Sequence, residues 1–139
     1  MGPASVLDQT FKITDAAGVL QYRAVVQGTS AGECKKPAAA NDPGFLGITQ
    51  EAQATQYKGV GLRMLGVSRV TAAGVIAVGA HIRIADTAGK VESAESDVIV
   101  APGSAKVNYS IGTALSAAAA DNDVIFAFIF PFVVKTAAS

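Results

Sequence analysis

Few residues in this chain are able to do chemistry, and their spacing brings none of them together. His81 is the only histidine. It stands between Ala80 and Ile82 in an apolar alternating stretch, with no second histidine and no nearby cysteine to complete a tetrahedral zinc set, so it reads as a half-buried strand residue. Cys34, the only cysteine, cannot form an internal disulfide. With no histidine near it in sequence to take its proton, it reads as a small apolar side chain rather than a nucleophile. Asp121-Asn122-Asp123 has the opening of a calcium loop but lacks the glycine and the distal bidentate glutamate that such loops need, which leaves a turn between strands. Gly59-Val60-Gly61 lacks the third glycine and the following helix of a dinucleotide fingerprint, and no Walker-type Gly-Lys-Ser/Thr occurs. Lys35-Lys36, the one adjacent basic pair, is followed by Pro37 and reads as a solvated loop rather than a phosphate contact. No catalytic residue, cofactor site or metal ligand set is therefore expected, and no enzyme class gains support.

The elements around these residues have the side-chain period of two that marks strands. Strands are expected at Tyr22 to Val26, Val60 to Val67, Val75 to Val78, Ile82 to Ala85, Val98 to Val100 and Val124 to Val134, separated by glycines at turn-like spacing. Residues 35–44 and 92–97 read as surface loops. The alanine-rich stretches 52–55 and 114–120 have the propensity for a turn or two of helix. Residues 1–13 lack this organisation and read as a flexible arm, ordered only where something holds it. A length of 139 residues suits a single domain over 14–139.

Eleven basic and eleven acidic residues cancel, so no long-range field draws the chain to nucleic acid or to an anionic membrane. The longest apolar run, Val124 to Val134, falls well short of the ~20 residues that a membrane-crossing helix needs. The N-terminus has neither the basic region nor the apolar stretch of a secretory signal. A soluble protein with no direct nucleic-acid or membrane partner is expected.

The chain also repeats itself. Ala16-Ala17-Gly18-Val19 recurs as Ala72-Ala73-Gly74-Val75, and Ala31-Gly32-Glu33-Cys34 is answered about 57 residues later by Ala88-Gly89-Lys90-Val91. Further on, Leu46-Gly47-Ile48 and the strand at Val60 to Leu65 align with Ile111-Gly112-Thr113 and Val124 to Ile129 at an offset of about 65, residues 95–106 being extra in the second half. Two repeats are too few for a solenoid. The expected product is one mostly-β sandwich or barrel built from related halves, about 16–66 and 72–130.

Phe126, Phe128, Phe130 and Phe132 occupy alternate positions of the last strand and so share one face, opposite Ile125, Ala127, Ile129, Pro131 and Val133. Two readings stand. Either this is a core strand, or one face packs on another subunit, with Pro131 at an edge or a bulge where no ladder donor is needed. Four uncovered phenylalanines would be an aggregation hazard, so either reading requires a cover.

The order Gly18-Val19, Tyr22-Arg23-Ala24-Val25, Gly32, Phe45-Leu46-Gly47-Ile48, Val78-Gly79-Ala80, Ala88-Gly89-Lys90-Val91, Ile111-Gly112-Thr113-Ala114-Leu115 and Asp123 to Phe128 resembles the small capsid decoration, or cement, proteins of tailed bacteriophages. The resemblance spans roughly residues 15–130 and rests on glycines, alanines and strand hydrophobics rather than a signature motif. It implies a β-rich structural virion protein, made in the host cytoplasm. Such a protein binds the major capsid protein on the outer capsid surface, as a homotrimer at three-fold positions, and stabilises the head against DNA pressure. It also implies an N-terminal arm that becomes ordered on the capsid, but the family has no invariant binding motif to carry over. The apolar residues of the arm, Val6, Leu7 and Phe11, are the candidate capsid contacts, and the alternating Phe126, Phe128, Phe130 and Phe132 are the candidate subunit interface. A fibre, spike or tail accessory domain is the alternative, and a small-molecule-binding β-barrel comes third.

Overall fold

The computed structural model describes residues 5–94 and 106–136, with side chains described for 7–94 and 107–133. Nine strands follow one another, with no helix among the described residues: β1 Ser5–Ile13, β2 Ala24–Gln27, β3 Glu33–Lys35, β4 Phe45–Thr49, β5 Gly59–Thr71, β6 His81–Ile84, β7 Val91–Ser93, β8 Lys106–Ala114 and β9 Val124–Thr136. They hydrogen-bond in the order β1-β3-β2-β4-β5-β9-β8-β6-β7, and a further β1–β5 pairing closes the first five into a barrel. A parallel bridge between Ala72 and Val91 brings the far end of the second set back against the end of β5.

The pairing pattern occurs twice. Ala24 opposes Ile48 and Val25 opposes Gly47, with a register shift before Val26 meets Phe45. His81 opposes Thr113 and Ile82 opposes Gly112, with the same shift before Arg83 meets Ser110. The bridge Val19–Gln53 has its counterpart in Ile76–Ala118. Val19 therefore corresponds to Ile76 rather than to Val75, so the Ala-Ala-Gly-Val echo lies one residue out of structural register. The repeat also starts earlier than the sequence echo. Phe11 and Lys12 oppose Val60 and Gly59 as Val70 and Thr71 oppose Ile125 and Val124, which makes β1 the counterpart of the second half of β5. Strand β5 thus ends one unit and begins the next.

What holds residues 5–13 is β5, against which they run antiparallel from Ser5 to Lys12. A two-pronged ion pair reinforces the contact: Arg63 Nε and Nη2 each donate to Asp8 at 2.9 Å. The alanine-rich stretches do not become helices. The N–H of Gln53 goes to Val19 and that of Ala118 to Ile76, while the Asp123 carboxylate accepts from the N–H groups of Ala119 and Ala120. Partners elsewhere in the same chain have taken donors that a helix would have used. Val75 to Val78 is a loop whose Ile76 alone bridges inward, and residue 91 onward begins a strand where a loop was expected. Val98 to Val100, and all of the extra segment except Lys106, lie outside the described residues.

Each unit has an interior. The first packs Ile13, Val19, Val25, Cys34, Val60 and Leu62. The second places Ala72, Ile76, Ile82, Val91, Ile125 and Ala127 at the corresponding positions, and joins them to Ala24, Val26 and Ile48 from the outside of β2 and β4. One apolar seam therefore welds the units together. Full burial of a single isoleucine or leucine is worth roughly 1.5–3 kcal/mol, several times a surface ion pair, so the seam and not the charges fixes how the units sit.

Candidate functional site

Strand β9 faces two ways. Ile125, Ala127 and Ile129 are buried in the core of the second unit, so the alternating phenylalanines lie on the outer face of the sheet. Phe128 is 40% and Phe130 52% exposed. Successive rings contact one another along the strand, Phe128 stacked on Phe130 at 6.3 Å between centroids and Phe130 tilted against Phe132 at 6.4 Å. Such offset contacts each contribute about 0.5–1.5 kcal/mol beyond area burial, which holds the row as an ordered ridge. The strand is thus a core strand on one side, and its other side carries a half-exposed aromatic face.

The ends of the ridge are anchored. Phe126 lies under the Arg69 guanidinium at 5.2 Å, and the same guanidinium lies 5.9 Å from the Tyr22 ring. At the other end Phe132 meets the His81 ring edge-on at 5.0 Å, and His81 Nδ1 is 3.3 Å from the Thr113 hydroxyl. This gives His81 a packing partner and a polar partner. It stands in β6 as a partly buried strand residue. A register shift between Ser110 and Gly112 gives β9 one extra residue across from them, and Pro131 sits in that bulge, where a missing donor costs least.

Cys34 is fully buried, and burial together with the nearby Asp15 carboxylate pushes its thiol up to about 11. A thiol held protonated is neither a nucleophile nor a metal ligand. Among the described residues no three His, Cys, Asp or Glu side chains stand close enough to hold a metal. The larger cleft, about 260 Å³, lies between Tyr22, Gln50, Arg63, Ser68, Arg69 and Phe126. Arg63 is spent there on Asp8 and on the Val67 carbonyl, and its hydrogen bond to Asp8 raises its pKa. A smaller groove of about 160 Å³ runs beside the bulge, lined by Phe45, Tyr109, Pro131, Phe132 and Val133 among others. The outer side of β9 therefore presents an ordered, half-exposed apolar ridge.

The expected contacts on β1 divide. Leu7 is 45% exposed, whereas Phe11 packs against the interior of the first unit; Val6 lies in the strand, its side chain outside the described set. Sequence reasoning missed Asp8 and Arg63, because 55 residues separate them and no local pattern signals an ion pair across a barrel seam. It also missed Asn41, whose side chain binds the backbone of β8 on both sides of Asn108.

A family model described as phage cement protein matches residues 6–129. Among solved structures, the chain is similar to the N base of the head fiber gp8.5 of bacteriophage phi29, with a TM-score of 0.57 and 15% identity over 89% of this chain and 93% of that one. At that identity the likeness is one of fold. No curated protein matches in sequence.

Proposed function

The chain belongs to the phage cement protein family, structural proteins of the phage head, and from that premise we propose that it sits on the outer surface of the mature capsid. It binds the major capsid protein there as a homotrimer at three-fold positions and stabilises the head against internal DNA pressure. The observation that carries this reading is the ordered phenylalanine ridge of β9, whose rings contact one another along the strand while Phe128 and Phe130 stay about half exposed. A ridge of this kind is a packing surface for another protein. Three modest shell contacts acting together through one trimer bind far more tightly than one alone. Leu7 on β1 is the exposed candidate for the shell contact.

The test is binding of purified protein to expanded and unexpanded heads, followed by heating of the decorated and bare shells. Saturable binding to expanded heads only, with a raised rupture temperature, is the expected result; equal binding to both forms, or no change in rupture, overturns it. A second reading, the base of a head fibre, is favoured by the shared fold with the phi29 fiber base. It predicts a few copies per particle rather than lattice coverage.

A further inference from the structure

We propose that copies of this protein join by main-chain strand addition: the open edge of β9 from Phe130 to Thr136 pairs with the open edge of β1 in a neighbouring copy. This rests on the trimeric cement reading and names how the trimer is built.

The chain already contains one joint between two copies of its own unit, and that joint is a strand. The first unit is tied to the second where Gly66 to Thr71, continuing β5 past the first barrel, pairs antiparallel with Val124 to Ile129 of β9. Strand β9 repeats this continuation. Beyond Ile129 it runs on from Phe130 to Thr136, and the Thr71-Ala72-Ala73 that closes the first continuation reappears as Thr136-Ala137-Ala138. Along Val124 to Ile129, β9 has β5 on one edge and β8 on the other, Phe128 opposing both Val67 and Thr113. From Phe130 onward β8 continues on its side up to Thr136, while the β5 side carries no strand among the described residues.

The other edge of the same hairpin is treated differently. Asn41 Nδ2 donates to the Val107 carbonyl at 2.7 Å, and its Oδ1 accepts from the Tyr109 N–H at 2.9 Å. One side chain thus fills the place of a neighbouring strand, and a left-handed backbone (φ 55°) holds it there. Blocking exposed edges is how β proteins prevent unwanted pairing. Here the β8 edge is blocked, and the β9 edge carries no strand among the described residues beside the Pro131–Phe132 groove and the half-exposed ridge.

The second copy supplies the complement. Strand β1 pairs with β3 only at Lys12 and Ile13, so from Ser5 to Phe11 its outer edge is also without a strand among the described residues. Pairing of like edges would close at two copies. Pairing β9 onto β1 is head-to-tail and generates rings, three-membered ones included. A net charge of zero opposes neither arrangement.

The experiment uses Gln9→Cys, Val133→Cys and the double variant, treated with a short bismaleimide both free and bound to expanded heads, with wild type as the control for buried Cys34. The double variant should run as covalent trimers on a denaturing gel, and each single variant as monomer. A covalent dimer from Val133→Cys alone shows that like edges meet and overturns the proposal. Absence of cross-links both free and on heads overturns it too. If such heads still bind the protein in saturable fashion, only the strand joint has failed; if they do not bind it, the cement reading has failed with it.

Discussion

Tyr22 and Gly79 hold the same place in the two units, both with left-handed backbone, φ 58° and 85°, and both donating their N–H to corresponding carbonyls, those of Thr49 and Ala114. The conformation is imposed by the turn that leads into β2 and β6. Glycine adopts it freely, whereas a side chain costs roughly 1–2 kcal/mol. In the first unit the cost is accepted and places the Tyr22 ring beside Arg69. A Cβ on Gly79 meets nothing within 4 Å, so Gly79→Ala should lose only the conformational term, about 1–2 kcal/mol. Urea unfolding should show a lower midpoint with an unchanged slope.

Gly47 and Gly112 make a second matched pair with unequal room. A Cβ at Gly112 would overlap the Phe128 carbonyl oxygen, while one at Gly47 would stand 3.0 Å from the Arg63 carbonyl oxygen. Backbone cannot step aside as a flexible side chain can. Gly112→Ala should therefore cost about 3 kcal/mol or more and Gly47→Ala about 1 kcal/mol. Equal midpoints for the two variants in chemical unfolding would contradict this close approach.

The duplication and the strand character were legible because they reside in local patterns, alternation and glycine spacing. Val124 to Val134 announced β9 on its own. Strand β1 was not legible: Asp8-Gln9-Thr10 shows no apolar alternation, and the strand exists because β5 offers an edge and Arg63 a partner. The alanine-rich stretches misled for the converse reason, since propensity favoured helix while Val19 and Ile76 claimed the backbone donors. The aromatic ridge was legible as a face, but which side turned outward depends on the inward packing of Ile125, Ala127 and Ile129. Asn41 gave no signal, because capping of β8 is a contact across 66 residues.

Cys34 corresponds to Val91 in the second unit, and both are fully buried. Its thiol is raised from 9.0 to about 11, so the folded state disfavours the thiolate that the unfolded chain forms. The sign follows: stability from this group is complete below pH 9 and is lost as pH rises from about 9 to about 11. Cys34→Val should remove that share of the alkaline loss, about 2 kcal/mol near pH 10.5, and leave stability at pH 7 within about 1 kcal/mol of wild type. Parallel alkaline unfolding curves for the two proteins would refute it.

Removal of residues 2–11 should open the first barrel, since those residues supply most of the β1–β5 ladder and Phe11 covers its interior. A clear fall in Tm and faster hydrogen exchange along Val60 to Arg63 are expected, with β8 and β9 little affected. Asp8→Ala is the gentler version. Its carboxylate is 40% exposed, so solvent screens the pair and the loss should stay near 1 kcal/mol. An unaltered exchange rate at Val60 to Arg63 in the truncated protein would show that β5 does not need β1.

Phe130→Ser separates folding from assembly. The ring is half exposed in the single chain and contacts Phe128 and Phe132, so its loss should lower the stability of the isolated chain by about 1–2 kcal/mol. A neighbouring copy that covered the remaining area would make the same substitution cost on the order of 1 kcal/mol more per joint, repeated at each joint of a ring. Phe128→Ser, at the stretch of β9 already flanked by β5 and β8, should disturb association less. Light-scattering mass across a dilution series measures this: wild type holding a trimer to lower concentration than Phe130→Ser is the expected order. A wild-type chain that stays monomeric at high concentration and on the capsid alike would leave the ridge to the shell protein alone.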